Sequence, residues 1–537
     1  VMHGGEAPKL LSVDLTGAQR LVLATIDANN GTQGDSADWA GAVVITKPGG
    51  QAPRVAPPAA QAQPSIASSR SAEPQINYPR ITGGTPGRPF LFRIPATGEA
   101  PLSFSAKNLP AGLQLDPTSG VITGSLAQAG RTTVDVTVKN AKGTASGQIT
   151  IVGGADALAL TPPLGWNSWN VWAASVDDQK VRAAADAIVS TGLAGQGYTY
   201  VNIDDAWEGQ RTADGEITSN EKFPDMKALT DYVHGKGLKI GLYSSPGPRT
   251  CQQRFAGSYQ HEEQDARTWA RWGFDYIKYD WCSYSDVEPA RDKTPLPGLQ
   301  KPYVLMRGAL DKLDRDFVYS LCQYGWGDVW EWGDTVGGNL WRVTGDITDT
   351  WPSMSSIGFQ QTGHEKFAGP GHWNDTDMLV VGKVGWGRPN TPRPSQLDPN
   401  EQITHISLWA LQAAPLLIGA DLSQADPFTI DLLGNREVLA IDQDQLGNAA
   451  HRIANDGWTE VWARPLVDGT LAVGLFNRSP EPAQVDVKLV DLGMNGPQPV
   501  RDVWTHTDRG TTTAGAFGTT VPRHGAVLVK IGKGGSR

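Results

Sequence analysis

The sequence predicts an α/β protein: a (β/α)8 TIM barrel with flanking all-β sandwich domains. Three observations carry this. From Leu164 to about Gly447, segments of strand character alternate with segments of helical period, and eight strand candidates occur. Strand–helix alternation favours a parallel sheet, and eight units in roughly 300 residues is the scale of this barrel. On either side the chain alternates apolar and polar residues between Gly- and Pro-rich turns, the grammar of sandwiches. Finally, "FDYIKYDWCSY" (274–284) alternates like a strand and then delivers Lys278, Asp280 and Cys282 on same-side positions. Active sites of the barrel lie at the C-terminal ends of its strands, so a strand ending in a cation, a carboxylate and a thiol fits such an end.

In chain order, residues 1–50 show short alternating segments ("LLSVDLTGAQRLVLATI", "DWAGAVVIT") that predict part of a β-sandwich module. Between them "DANNGTQGD" reads as a plain hairpin loop. Residues 51–75 are Pro/Ala/Ser-rich without periodicity and predict an extended linker. Residues 76–153 carry "PFLFRIPA", "LSFSAKNL", "GVITGSL", "TTVDVTVKN" and "ASGQITIVG", an immunoglobulin-like sandwich. Residues 154–447 hold the barrel, with strands at "LGWNSWN", "YTYVNIDDAW", "LKIGLYSS", "FDYIKYDW", "FVYSLCQYG", "LWRVTGD", "GHWNDTDML" and "PLLIGADL". Helical patterns such as "DDQKVRAAADAIVSTG", "DMKALTDYVHGKG", "QDARTWARWG", "YVLMRGALDKLDRD" and "NEQITHISLWALQAA" fall between several of them. Residues 448–537 return to alternating strands, a C-terminal antiparallel β-sandwich.

Composition narrows the function. A net charge of −10 argues against nucleic acid as a partner, because phosphate binding needs clustered Lys and Arg. No apolar run is long enough for a membrane span. Nineteen Trp suggest stacking surfaces for a neutral ligand. The three cysteines, Cys251, Cys282 and Cys322, are too few for a disulfide framework and are not spaced as a zinc site. The chain opens on Val1 in mid-pattern, and processing from a longer, exported precursor is expected.

The other strand ends are also rich in polar groups: Asp204 and Asp205, Tyr243, Gln323, Arg342 and Asp346, Asp375 and Asp377. Two carboxylates flanking one bond, with aromatic and hydrogen-bonding groups around a polyhydroxylated ring, are what glycoside hydrolysis requires. Crowded carboxylates also shift one another's pKa, so that one can be ionised while another keeps a proton. Trp166, Trp172, Trp326, Trp330 and Trp332 read as packing or rim residues.

"PPLGWNSWN", "NIDDAW", "GLYSSPG", "IKYDWC", "WRVTGDITDTW", "GPGHWNDTDMLVVG" and "ISLWALQAAPLLIGADL" resemble, in order and spacing, glycoside hydrolase family 27, best known for α-galactosidases. The resemblance implies that Asp280 is the nucleophile and Asp346 the acid/base of a retaining double displacement, with carboxyl groups about 5–5.5 Å apart. It implies that Asp204 and Asp205 accept hydrogen bonds from the sugar's O4 and O6, that Lys278 binds a hydroxyl, and that Trp169 stacks on the ring. Tyr243, Arg342 and Asp377 with Met378 would line the rest of the pocket, and Cys251 and Cys282 would form a disulfide, leaving Cys322 unpaired. Upstream, the chain resembles immunoglobulin-like modules fused to bacterial glycosidases and, over residues 1–50, the end of a carbohydrate-binding module.

Two positions depart from the family pattern. Gln323 stands where α-galactosidases carry a Glu that helps read the sugar's C2 side, and Trp281 where Gly or Asn is familiar. The resemblance implies a secreted or periplasmic bacterial exo-glycosidase acting on terminal α-D-galactose of oligosaccharides or polysaccharides, with no metal and no organic cofactor expected. β-L-Arabinopyranosidase and α-N-acetylgalactosaminidase are its alternatives within the family, with dextran-like glucans more distant. A non-catalytic carbohydrate-binding protein is the alternative from another class.

Overall fold

The structure is a computed structural model that describes residues 10–16, 21, 43–48, 61–155, 157–288, 296–387 and 392–534. The sandwich reading of residues 1–50, with its hairpin loop, falls almost wholly outside these residues.

Eight parallel strands build the central sheet: β1 Leu164–Asn167, β2 Tyr200–Asn202, β3 Lys239–Ser244, β4 Tyr276–Asp280, β5 Val318–Cys322, β6 Leu340–Arg342, β7 Trp373–Asp375 and β8 Leu416–Ile418. Neighbours pair in chain order, and β1 also pairs with β8. Past the end of β7, a parallel bridge between Leu379 and Ile418 joins the chain to β8, so the ring closes. Every strand residue but Lys239 is buried, as expected when helices cover the outside and side chains fill the inside.

Helices α1 Asp178–Ser190, α2 Met226–Gly235, α3 Glu262–Trp272, α4 Leu296–Leu310, α5 Trp351–Phe359 and α6 Pro399–Leu411 alternate with the strands. Local sequence starts them. Asp177 caps α1 by accepting from the Lys180 N–H, and Asp225 caps α2 through Ala228. At α6, Asp398 and Glu401 form a reciprocal capping box.

Strand parity decides what faces inward. Tyr200, Tyr276, Val318, Leu340 and Trp373 pack together and plug the N-terminal end of the barrel. Two residues further along each strand, the same side presents Asn202, Lys278, Ser320, Arg342 and Asp375. Gly241 of β3 is forced small, since a Cβ there would meet the Tyr276 ring at 2.8 Å and Asn202 Oδ1 at 2.3 Å. The apolar floor thus gives way to a polar layer toward the opposite mouth.

The immunoglobulin-like module packs a four-stranded sheet (Ile81–Gly84, Gly143–Gly153, Gly130–Asn140, Ser103–Lys107) on a three-stranded one (Pro89–Arg93, Val121–Ser125, Leu113–Leu115). Val134, Val136 and Val138, alternate residues of one strand, lie in its core. It docks near the N-terminal ends of the barrel strands, where Asp316, two residues before β5, accepts from the Thr85 N–H and pairs with Arg88 at 3.0 Å.

Residues 61–72 have no regular structure, in keeping with an extended segment, yet they are pinned down. Ser68 donates to Asp431, Ser69 accepts from the Arg436 N–H, and the Ala67 N–H donates to the Trp504 carbonyl. The expected spacer is therefore, over this stretch, a strap against the barrel and the C-terminal sandwich. That sandwich pairs a six-stranded sheet with a two-stranded one between residues 451 and 531. It is tied to the barrel by Arg523–Asp398 at 2.7 Å and by His524 stacked 4.1 Å over Trp351.

Candidate active site

The polar layer converges at the C-terminal mouth of the barrel. Asp280 ends β4, and Lys278 precedes it on the same face. Register places Tyr243 beside Lys278, Asp280 beside Cys322, and Arg342 beside Asp375.

Lys278 is the hub. Its Nζ donates to Asp204 Oδ2 at 2.8 Å and lies 3.9 Å from Asp280 Oδ2. Burial works against its charge, but Asp204 and Asp280 outweigh it, so the ammonium is held well above its usual range. Asp204 is held from both sides: Oδ2 also accepts from Asn167 at 2.9 Å, and Oδ1 accepts from the Asp205 N–H. Asp205 differs. Its Oδ2 accepts from the Gln252 N–H at 3.0 Å, but its buried Oδ1 has no protein donor, and burial pushes the carboxyl up to about 6.

Asp280 is 5% exposed, and burial pushes its carboxyl up to about 7, against the pull of Lys278 and with the push of Asp346. Its Oδ1 accepts a 2.6 Å hydrogen bond from the Tyr324 hydroxyl. Asp346 sits at the rim with a side chain 61% exposed, beside a nearly inaccessible Arg342, whose Nη2 donates to Asp346 Oδ1 at 3.0 Å. Partial desolvation opposes ionisation of Asp346, but the guanidinium overrides it and holds the carboxyl below its usual range. The two carboxyls therefore sit in opposite environments, and their titration belongs to the pair.

Asp377 is placed differently from the pocket-lining role expected of it. Its Oδ2 accepts from the Ile347 N–H at 2.8 Å and pairs with Arg342 at 2.9 Å, while Oδ1 accepts from Met378. Through these bonds it braces the loop that carries Asp346. Gln323 also turns away from a ligand role. Fully buried, it accepts from the Trp326 N–H at 2.7 Å and donates to the Trp326 carbonyl at 2.8 Å. The physical reason is the tight turn after β5, where Tyr324 and Gly325 both have positive φ and buried backbone groups need partners.

Cys251 and Cys282 form the expected disulfide, and Cys322 is free and buried. Tyr243 lies beneath the bridge, its hydroxyl 3.2 Å from Cys282 Sγ. Trp169, half-buried, opens the helical turn after β1, its N–H on Asn167 Oδ1. Trp166 and Trp332 are buried in the core, whereas Trp172, Trp326 and Trp330 are partly exposed against it.

Three residues escaped the sequence reading. Asn167, in "GWNSWN", fixes Asp204. Glu208, three residues beyond Asp205, is buried with Oε2 on the Ala206 N–H, and burial with Asp205 nearby raises it well above the usual carboxylate range. Tyr324 adjoins Gln323, and its signal was an aromatic hydroxyl at a strand end.

Comparison with known proteins now adds its own finding. The family described as alpha galactosidase A matches residues 161–444, and the alpha galactosidase C-terminal beta sandwich domain matches 456–531. The chain belongs to glycoside hydrolase family 27. An Ig-domain family also matches residues 73–152, and the NPCBM/NEW2 domain matches 1–45. Family membership accounts for the barrel followed by a sandwich and for the strand-end carboxylates. An alpha-galactosidase of Cyamopsis tetragonoloba is 43% identical over 66% of this chain and 82% of its own length. Alpha-galactosidase I of Mortierella vinacea is 31% identical with a TM-score of 0.65, over 71% of this chain and 100% of that one. A family 27 β-L-arabinopyranosidase of Geobacillus stearothermophilus is 26% identical with a TM-score of 0.62, over 71% and 98%.

Proposed function

We propose that this chain is a retaining exo-α-galactosidase that releases terminal α-D-galactosyl residues through two carboxylates, Asp280 as nucleophile and Asp346 as acid/base. The observation that carries this is the Asp280–Lys278–Asp204 chain at the barrel mouth, with Arg342-bound Asp346 at its rim.

In this mechanism Asp346 protonates the leaving oxygen while Asp280 attacks C1, and a water activated by Asp346 then releases the sugar. The free protein holds its shared proton mainly on Asp280, whereas the chemistry needs it on Asp346. A bound sugar corrects this by covering the exposed Asp346 and removing water that stabilises its charge. Lys278 keeps Asp280 ionised as the proton moves. Asp204 and Asp205 are the carboxylates offered to the sugar's hydroxyls, and Asp204 also orients Lys278.

The β-L-arabinopyranosidase reading is the second one. It draws on the Geobacillus relative, because that sugar has galactose's ring stereochemistry without C6. The Asp204 and Asp205 pair favours galactose, whose O6 a second carboxylate can bind. A disulfide fits an oxidising compartment, and with the NPCBM/NEW2 match it supports export and attachment to a glycan. The test is initial rates on the p-nitrophenyl glycosides of α-D-galactose, β-L-arabinopyranose and α-N-acetylgalactosamine, with Asp280→Ala as control. Preference for the galactoside, lost in the variant, supports the reading. Preference for another sugar replaces the substrate and keeps the mechanism, and no turnover on any favours a binding protein.

A further inference from the structure

The loop after β5 is built to present one hydroxyl. Tyr324 adopts φ +67°, a left-handed conformation that bulky residues rarely take, and it persists only where surroundings enforce it. Here the enforcement is visible. Gln323 clamps both backbone groups of Trp326. The Trp326 ring lies 5.2 Å from that of Tyr324 and meets Trp281 edge-on at 6.1 Å. Trp281, next in sequence to Asp280, is 4% exposed. The two departures from the family pattern, Gln323 and Trp281, therefore serve the same end as Tyr324. They hold a phenol over the nucleophile, 2.6 Å from Asp280 Oδ1, with the Cys251 and Cys282 sulfurs 3.7 and 4.0 Å from its oxygen.

We propose that Tyr324 is a positioning residue for the nucleophile: its hydroxyl holds Asp280 Oδ1 and leaves Oδ2 as the atom that attacks the sugar. This rests on the assignment of Asp280 as nucleophile. An oxygen that accepts a short hydrogen bond has given up part of its electron density, so the other oxygen is the better nucleophile. Oδ2 is also the atom that faces Lys278. In the glycosyl-enzyme Oδ1 becomes the ester carbonyl, and the Tyr324 proton then stabilises the charge that returns to Asp280 as the ester is hydrolysed. The phenol stays protonated throughout, because burial and the charge of Asp280 both hold it far above its usual range.

The consequence is a choice of where the shared proton sits. The other groups acting on Asp280 are Lys278 on its own strand, Asp204 after β2, Tyr243 on β3, Cys322 on β5 and Asp346 after β6. Tyr324 is a neutral donor among them, and donation to the carboxylate favours its ionised form.

The experiment is the pH profile of kcat/KM on p-nitrophenyl α-galactoside for the wild type and Tyr324→Phe, which removes one hydroxyl from a half-buried ring. Without the donor Asp280 binds the shared proton more tightly. The plateau is expected to fall about tenfold and the alkaline limb to move up by about one pH unit, the two curves converging at high pH, where little of either enzyme is protonated. Site-specific 3-fluorotyrosine at position 324, a stronger donor, is expected to move the limb the other way. Curves parallel at every pH, or superimposed curves, overturn the proposal. A wild type whose turnover survives Asp280→Ala overturns the nucleophile assignment beneath it, a separate result.

Discussion

The Arg342 guanidinium donates to Asp346 Oδ1 at 3.0 Å, from a side chain 2% exposed to one that is 61% exposed. A buried cation thus fixes a carboxylate that remains open to solvent and substrate. The same cation pairs with Asp377 at 2.9 Å, so the carboxylate proposed as acid/base is held by an arginine that is itself held.

This arrangement sets a pH profile. The productive form carries one proton shared by Asp280 and Asp346. Its loss is governed by the higher site, about 7, and gain of a second proton by Asp346, which Arg342 holds below the usual carboxylate range. The kcat/KM profile on an aryl α-galactoside is therefore expected to be a bell with its alkaline limb near pH 7 and its acid limb below about pH 4. A profile still rising at pH 8 contradicts this.

Lys278→Met removes the partner of a buried carboxylate. Breaking a buried pair from one side costs about 3–5 kcal/mol, because Asp204 is left buried without its counter-charge. Urea denaturation at pH 7 is expected to show that loss. Activity should fall at least about a hundredfold, as for removal of a preorganised electrostatic group. Unchanged stability would show that the pair is better solvated than its geometry indicates.

The same buried carboxyls link stability to pH. Burial raises Asp280 to about 7 and Asp205 and Asp377 to about 6, all above the unfolded value near 4. Groups of this kind bind more protons folded than unfolded. Their contribution is fully present below the unfolded pKa and is lost as pH rises through 6 to 7. Asp275, lowered to about 2 despite its burial by His234 and Arg315, acts in the opposite sense only below about pH 4. Calorimetry is expected to give a higher Tm at pH 5 than at pH 8. An increase in Tm with pH across that range would contradict the linkage.

The Cys251–Cys282 bridge closes a loop of 31 residues in sequence separation and touches the surroundings of Asp280 through Tyr243 and Tyr324. Replacing both cysteines with serine is expected to cost roughly 3–4 kcal/mol by loop-closure entropy. Activity should fall as well, because the bridge ties the loop after β3 to the residue that follows Asp280 by two. Full activity with lowered stability would confine the bridge to a structural role.

Much of this was legible in the sequence because strand parity is a strict code. Once Tyr276, Lys278 and Asp280 alternate on one strand, an apolar floor and a polar mouth follow, and the same parity on Tyr200, Asn202 and Asp204 completes the face. Side-chain partners were less legible. Asp377 and Gln323 carry the right atoms at the right strand ends, but backbone N–H groups in tight turns claim those atoms, and no spacing rule reports that. Tyr324 was missed because its reach depends on a positive φ, a property of the folded loop. The pinned segment 61–72 looked like a free linker because its composition is that of one, while its anchors Asp431, Arg436 and Trp504 lie hundreds of residues away.

The account stands or falls on Asp280 as the residue that forms a bond to the sugar. The direct measurement is to trap the glycosyl-enzyme with an activated 5-fluoro-α-D-galactosyl fluoride and to locate the added mass by peptide mass spectrometry. The account predicts time-dependent inactivation with one galactosyl adduct on Asp280, in the peptide containing "YIKYDW". An adduct on another residue, or inactivation that proceeds unchanged in Asp280→Ala, would contradict it.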